Sequence, residues 1–204
     1  IKNRDSSLID YNNLVKSKFY ELFGDLTKNE KNFKLMKLKD ICENLDNLRI
    51  PVSKSKRRKG NIPYYGASGI VDYIDDYIFE DDLLLVPEDG ANLISRTYPI
   101  AFSISGKAWI NNHSHVLSFS NTALKKYVEI LINFSDITKY ITGSAQPKFN
   151  QAKLNDILIP IPEEKLLFLF EKIIYQITEQ RESIQQDIKD LESLLAAKMH
   201  EYFD

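Results

Sequence analysis

The stretch Ile157 to Phe170, ILIPIPEEKLLFLF, decides how this chain is built. Pro160 and Pro162 stop any upstream helix from running through it, and Glu163 and Glu164 supply the negative charge favoured in a first helical turn. A helix therefore starts here. Leu166, Phe170, Ile173, Ile177, Ile184, Ile188, Leu191 and Leu195 then keep heptad spacing, with one stutter near Gln180 and Arg181 where the stripe has no apolar member. No Gly or Pro follows. About 40 residues at 1.5 Å each make a rod of ~60 Å, longer than a domain of this size is wide. Such a helix either packs along its own domain or needs a partner helix.

Upstream, Leu8, Tyr11, Val15, Phe19 and Leu22 recur at helical steps, and Gly24 closes the pattern as a C-terminal glycine does. Shifting the sequence by 180 positions lays Asp10, Leu14, Lys18, Glu21 and Phe23 onto identical residues Asp190, Leu194, Lys198, Glu201 and Phe203. Leu8/Ile188, Val15/Leu195 and Phe19/Met199 are similar pairs. Two amphipathic helices share some residues by composition alone; as a true repeat, the match makes the chain one period of a helix, globule, helix array.

Between the helices, short runs rich in Ile, Val, Tyr and Phe, including Ile78 to Pro87, Ile100 to Ile104 and Ala108 to Ile110, read as strands. Leu124, Tyr127, Val128 and Leu131 share one face of a helix over Thr122 to Asn133. The expected class is α+β: a mixed α/β globule over residues 25–162, a short N-terminal helix within 1–24 and a long coiled-coil helix over 163–204.

Composition narrows the function. The 204 residues are 43% hydrophobic and 27% charged, ordinary for a globular protein, and the apolar runs fall far short of the ~18 residues of a membrane span. No signal-peptide pattern opens the chain, so a cytoplasmic location is expected, and Cys42 alone makes neither a disulfide nor a cysteine-rich metal site. The first residue, Ile1, suggests a processed product or a fragment. A formal charge of -2 gives no overall pull on nucleic acid, so any such binding needs a local patch.

Enzyme signatures are sparse. The seven glycines never form G-x-G-x-x-G or precede Lys-Ser/Thr, and neither a G-x-S-x-G elbow nor the Pro-Pro-aromatic element of adenine methyltransferases occurs. Glu163-Glu164-Lys165 has the E-x-K form of many metal-dependent nucleases, yet acidic residues belong at a helix start anyway. His113 and His115 are spaced to face one side of a strand, for a metal or for hydrogen bonds; a structural zinc needs about four ligands.

Positive signs concern nucleic acid. Lys54, Lys56, Arg57, Arg58 and Lys59 place five cations in six residues before Gly60, on an exposed loop or hairpin tip suited to phosphates or merely to solvation. Around it, turn-like segments carry side chains able to read base edges: Tyr64 to Gly69, Asn92 to Arg96, Asn111 to His113 and Gln146 to Lys148. Asn, Gly and Ser also simply dominate turns.

Taken in order, Ile62 to Asp72 (IPYYGASGIVD), Leu85 to Leu93 (LVPEDGANL), Ile100 to Val116 (IAFSISGKAWINNHSHV), Ile141 to Leu154 (ITGSAQPKFNQAKL) and Ile157 to Pro162 resemble the specificity subunit of type I restriction-modification systems. The resemblance spans nearly the whole chain, though such subunits carry two target-recognition domains and this chain has one. It implies a non-catalytic, sequence-specific reader of double-stranded DNA, directing partner methyltransferase and restriction subunits to a bipartite site, with S-adenosylmethionine bound by the methyltransferase and no cofactor here. Candidate DNA contacts are the five cations with Tyr65, Ser68, Asn92, Arg96, Lys107, Asn111, His113, Gln146 and Lys148. The helical stripes, from Leu8 to Leu22 and from Leu166 to Leu195, would pair in a homodimer if the chain is a natural half subunit. The alternative is the recognition segment of a larger single-chain restriction-modification enzyme.

Overall fold

A computed structural model describes residues 2–26, 28–143 and 145–203, with side chains described within 11–199. Its elements in chain order are α1 (Lys2–Phe23), β1 (Lys34–Lys37), β2 (Glu43–Asn44), β3 (Lys59–Gly66), β4 (Gly69–Ile74), β5 (Phe79–Glu80), β6 (Leu83–Pro87), α2 (Asn92–Ser95), β7 (Phe102–Ile104), β8 (Lys107–Ile110), β9 (Ser114–Ser118), α3 (Thr122–Phe134), α4 (Gln151–Asn155), β10 (Leu158–Ile161) and α5 (Glu164–Phe203). They divide into two units, Ile1–Asp25 with Glu163–Asp204, and Leu26–Pro162. Among the described residues no helix is long and apolar enough to cross a membrane.

In the helical unit, α1 ends at Gly24, whose φ of 71° and N–H bond to the Tyr20 carbonyl (2.8 Å) make the expected stop. Phe19 and Phe23 pack against Phe170 of α5 at centroid distances of 5.6 and 5.1 Å. The Tyr11 hydroxyl lies 3.1 Å from Thr178 Oγ1, and the Arg181 guanidinium sits 4.7 Å over the Tyr11 ring. That stacking explains the stutter: a cation over an aromatic face takes the place of an apolar residue.

The stripe on α5 is offset from the expected one. Leu167, Phe170 and Ile174 are buried, whereas Leu166, Ile173 and Ile177 are half-buried, and on α1 the buried set is Val15, Phe19 and Phe23 with Tyr11 and Leu22 half-buried. Beyond Arg181 the stripe is open: Ile184, Leu191 and Leu195 are exposed and Ile188 is half-buried. The side chain of Leu8 lies outside the described residues.

The globule holds two four-stranded sheets, ordered β2-β9-β6-β7 and β4-β3-β8-β5, and a two-stranded pair of β1 with β10. All pairings are antiparallel except β3 with β8. Leu83, Leu84, Leu85 and Val86 are all fully buried, so β6 is covered on both faces and reads as a continuous apolar run rather than an alternation. The expected strand over Ile78 to Pro87 is in fact two: exposed Asp81 and Asp82 separate β5 from β6, which enter different sheets. Helix α3 begins where Asn121 accepts the Leu124 N–H, and its Tyr127 hydroxyl donates to the Pro160 carbonyl at 2.7 Å, tying helix to β10.

Candidate nucleic-acid interface

Four turn segments far apart in sequence are knitted into one surface by backbone and short side-chain bonds. The Asn111 N–H donates to the Tyr65 carbonyl (3.1 Å) and the Ser114 hydroxyl to the Gly66 carbonyl (2.9 Å), joining the β8–β9 turn to the β3–β4 hairpin tip. The Glu88 N–H donates to the His113 carbonyl (2.8 Å), and the Phe149 N–H to the Glu88 carbonyl (2.7 Å), adding the segments after β6 and before α4. Thr142 and Lys148 exchange backbone bonds of 2.8 and 2.7 Å, closing a tight loop in which Gly143 has φ 81° and a Cβ there would meet the Gln146 carbonyl oxygen at 2.4 Å. Exposed on these segments are Ser68, Asn112, His113, Gln146 and Lys148, and exposed Tyr98, beyond α2, joins them through its hydroxyl, 2.9 Å from Ser68 Oγ.

Beneath this surface lies a charged cluster. His115, fully buried on β9, has Nδ1 2.5 Å from Asp46 Oδ2 and Nε2 2.6 Å from the Phe149 carbonyl. Asp46 Oδ1 accepts the Val116 N–H at 2.9 Å. Arg49 donates to Glu88 (2.9 Å) and to the Ser114 carbonyl (2.8 Å), and its guanidinium lies 3.4 Å from Asp46. Ligand atoms of Asp46, Glu88 and His115 come within 4.8 Å of one another, the spacing of a metal set, but Arg49 already supplies the cation to both carboxylates. His113 is not its companion: it sits exposed in the turn before β9, Nδ1 2.8 Å from Asp89.

Several candidate base readers make bonds within the fold. Asn111 is buried, and its Oδ1 accepts the His113 N–H at 2.8 Å, shaping the turn that leaves Asn112 exposed. Asn92 is buried too, accepting from Thr97 N–H and Oγ1 (both 3.0 Å) and donating to the Tyr98 carbonyl. Arg96, at φ 50°, turns its guanidinium onto the Ile132, Asn133 and Ser135 carbonyls, capping the C-terminus of α3; burial holds its pKa below the ordinary value. Tyr65 is half-buried with its ring 6.2 Å from Phe102, and burial pushes its phenol up. Ser68 shares a 2.9 Å bond with the Tyr98 hydroxyl, while Lys107 is exposed over the Tyr77 ring at 4.4 Å.

The basic run is also divided. Arg57 is drawn inward, donating to the Val52 carbonyl (3.0 Å) and to Asp72 (3.0 Å) with its guanidinium 4.1 Å over the Tyr64 ring. The Arg57 bond, then the Tyr73 N–H, hold the Asp72 carboxyl below its usual range. Arg58 stays 81% exposed although paired with Asp75, and Lys54, Lys56 and Lys59 are exposed. Arg58 and Lys59 stand at the foot of β3, seven residues or ~23 Å of strand from the hairpin tip, so the cations do not sit amid the knitted turns. Asn112 lies inside the segment Asn111 to His113 but was not among the named contacts, and Tyr98 lies just beyond the segment Asn92 to Arg96. Only the buried neighbours Asn111 and Asn92, which shape the turns, leave them outward.

The turns of the globule thus converge on one polar surface. The pattern described as the type I restriction modification DNA specificity domain matches residues 30–192, and the chain belongs to that family. It is 33% identical over 141 residues to a protein of Haemophilus influenzae named as a type I restriction enzyme specificity subunit, an alignment covering 69% of this chain and 36% of that relative. In fold it is similar to the type I restriction-modification S subunit from M. genitalium, at 17% identity and a TM-score of 0.57, covering 93% of this chain and 55% of that one. It is likewise similar to the HsdS subunit from Thermoanaerobacter tengcongensis, at 15% identity and a TM-score of 0.52, covering 91% and 48%. The chain thus spans about a third of the curated relative and about half of the solved chains.

Proposed function

We propose that the chain reads one half of a bipartite double-stranded DNA site for a type I restriction-modification complex. The observation that carries this is the convergence of four distant turns on one surface bearing Ser68, Tyr98, Asn112, His113, Gln146 and Lys148, donors and acceptors of the kind that pair with base edges. Lys54, Lys56, Arg58 and Lys59 along the neighbouring hairpin then serve phosphates rather than bases. The chemistry belongs to partner methyltransferase subunits, which bind S-adenosylmethionine, with a restriction subunit joining them. Mapping N6-methyladenine in DNA from cells carrying the complete system tests this. A bipartite motif is expected, with one half degraded by Gln146→Ala combined with Lys148→Ala; an unaltered motif contradicts the assignment of this surface.

The open stripe of α5 gives the reading its second partner. Under the 180-residue shift, Leu191, Leu195 and Met199 stand where Tyr11, Val15 and Phe19 stand on α1. Val15 and Phe19 are buried and Tyr11 half-buried, whereas all three equivalents are more than half exposed. A second copy supplies the missing helix surface, and two-fold symmetry then favours an inverted DNA repeat with fixed spacing.

A further inference from the structure

We infer that His115 is the positioning residue of the recognition surface, a buried bridge that fixes the Gln146–Lys148 loop against the sheet; this rests on the DNA-reading proposal above. The Phe149 carbonyl is the first group after that loop, and His115 Nε2 meets it at 2.6 Å while Nδ1 meets Asp46 Oδ2 at 2.5 Å. Both partners are acceptors. A ring satisfying both donates from both nitrogens, which only the doubly protonated imidazole does. The cluster then holds two cations, His115 and Arg49, against two anions, Asp46 and Glu88, and buries no net charge.

Each member also holds one piece of the surface. Asp46 takes the Val116 N–H, Arg49 takes the Ser114 carbonyl, the Glu88 backbone bonds both His113 and Phe149, and His115 takes Phe149 itself. The edge-on ring of Phe149, 6.2 Å from His115 and fully buried, anchors the loop at the same point. Without the imidazole the Phe149 carbonyl loses its buried partner, and the loop keeps its Thr142 and Gly90 bonds and the Phe149 N–H bond to Glu88 but not the tie into the sheet through His115.

Three measurements on the full chain test this. First, nitrogen-15 spectra of the wild-type imidazole should show both His115 nitrogens protonated; a bare Nε2, which cannot donate to the Phe149 carbonyl, overturns the bridge. Second, His115→Phe keeps a ring against Phe149 and removes both bonds, so amide hydrogen exchange at Lys148 and Phe149 should accelerate selectively; exchange unchanged there, or raised evenly throughout the globule, overturns a positioning role. Third, a duplex selected by the wild type from a randomised pool is compared with the unselected pool. His115→Phe should lose about tenfold or more in discrimination, the worth of one good base pairing, with its salt dependence unchanged. Mere loss of folded protein would weaken both duplexes alike, which also counts against the proposal.

Asp46→Asn supplies the rescue. Its carboxamide can donate to Nδ1 of a neutral ring that still donates from Nε2 to Phe149, and the cluster remains neutral as Arg49 with Glu88. Discrimination near wild type is expected, and a loss equal to that of His115→Phe contradicts the bridge as the working element. A wild type that selects no duplex removes the DNA reading itself, while the spectra and exchange still decide the bridge.

Discussion

Strand β6 and the outer part of α5 are built from the same kind of residue and treated in opposite ways. Leu83 to Val86 are sealed between the layers of the globule, whereas Leu191 and Leu195 stand 64% and 62% exposed. A sheet brings its own cover because strands distant in sequence close over it; a lone helix covers one stripe only where a second helix lies. Along α5 that second helix is α1, and after Arg181 the stripe is open. One region is buried within the globule, and the other presents apolar side chains to solvent.

The largest effect should fall on the sealed strand. Leu85→Ala is expected to cost about 2–5 kcal/mol in chemical unfolding, because Leu85 is fully buried and close-packed surroundings relax only partly into the space it leaves. Leu195→Ala at the same chemistry should stay within about 0.5 kcal/mol at concentrations where the chain is monomeric. Equal losses would break the comparison.

Next comes association. Light scattering at micromolar concentration should show a dimer, and Ile184→Asp with Leu191→Asp should abolish it while thermal unfolding of the dilute chain stays unchanged. Each uncovered Å2 of apolar surface disfavours the monomer by about 25 cal/mol, and a charge on the stripe removes that gain. A monomeric wild type would contradict the dimer. Ile177→Asp is a poorer probe than its spacing suggested, because Ile177 is half-buried in its own helix pair.

Adjacent arginines sharpen the contrast on a smaller scale. Arg57→Ala should cost about 1–2 kcal/mol of stability through its carboxylate bond and ring stacking, with little effect on salt-dependent DNA binding. Arg58→Ala together with Lys54→Ala and Lys56→Ala should do the reverse, reducing the salt slope by about one for each phosphate no longer neutralised. The smallest effect is one of pH. Asp72 is held below its ordinary range, so its contribution is present above the usual carboxylate pKa and disappears as acid takes pH through the lowered value. Exchange of amides around Val52 should rise in that range, and Arg57→Ala should remove the rise.

Much of the architecture was legible because it is written in local periodicity: the start of α5 after Pro162, the stop at Gly24, and α3 over Thr122–Phe134. The site was legible only as segments. Periodicity distinguishes a turn from a strand, but not Asn111, which shapes its turn, from Asn112, which the turn exposes. Nor does a run of cations reveal that Arg57 meets Asp72 across a hairpin while Arg58 remains in solvent. The Asp46, Arg49, Glu88 and His115 cluster joins residues up to 69 positions apart and has no sequence signature of its own. Such pairings exist only after the sheets have closed.

We propose that one knitted surface of this chain reads DNA by sequence. Selection of duplexes from a randomised pool by the full chain, repeated with Gln146→Ala and with the Lys54, Lys56, Arg58 triple alanine variant, tests it most directly. A discrete motif should emerge with the wild type, blur at one or two positions with Gln146→Ala, and persist at lower affinity with the triple variant. Recovery of unenriched DNA by the wild type, or one identical motif at equal affinity from all three proteins, would contradict it.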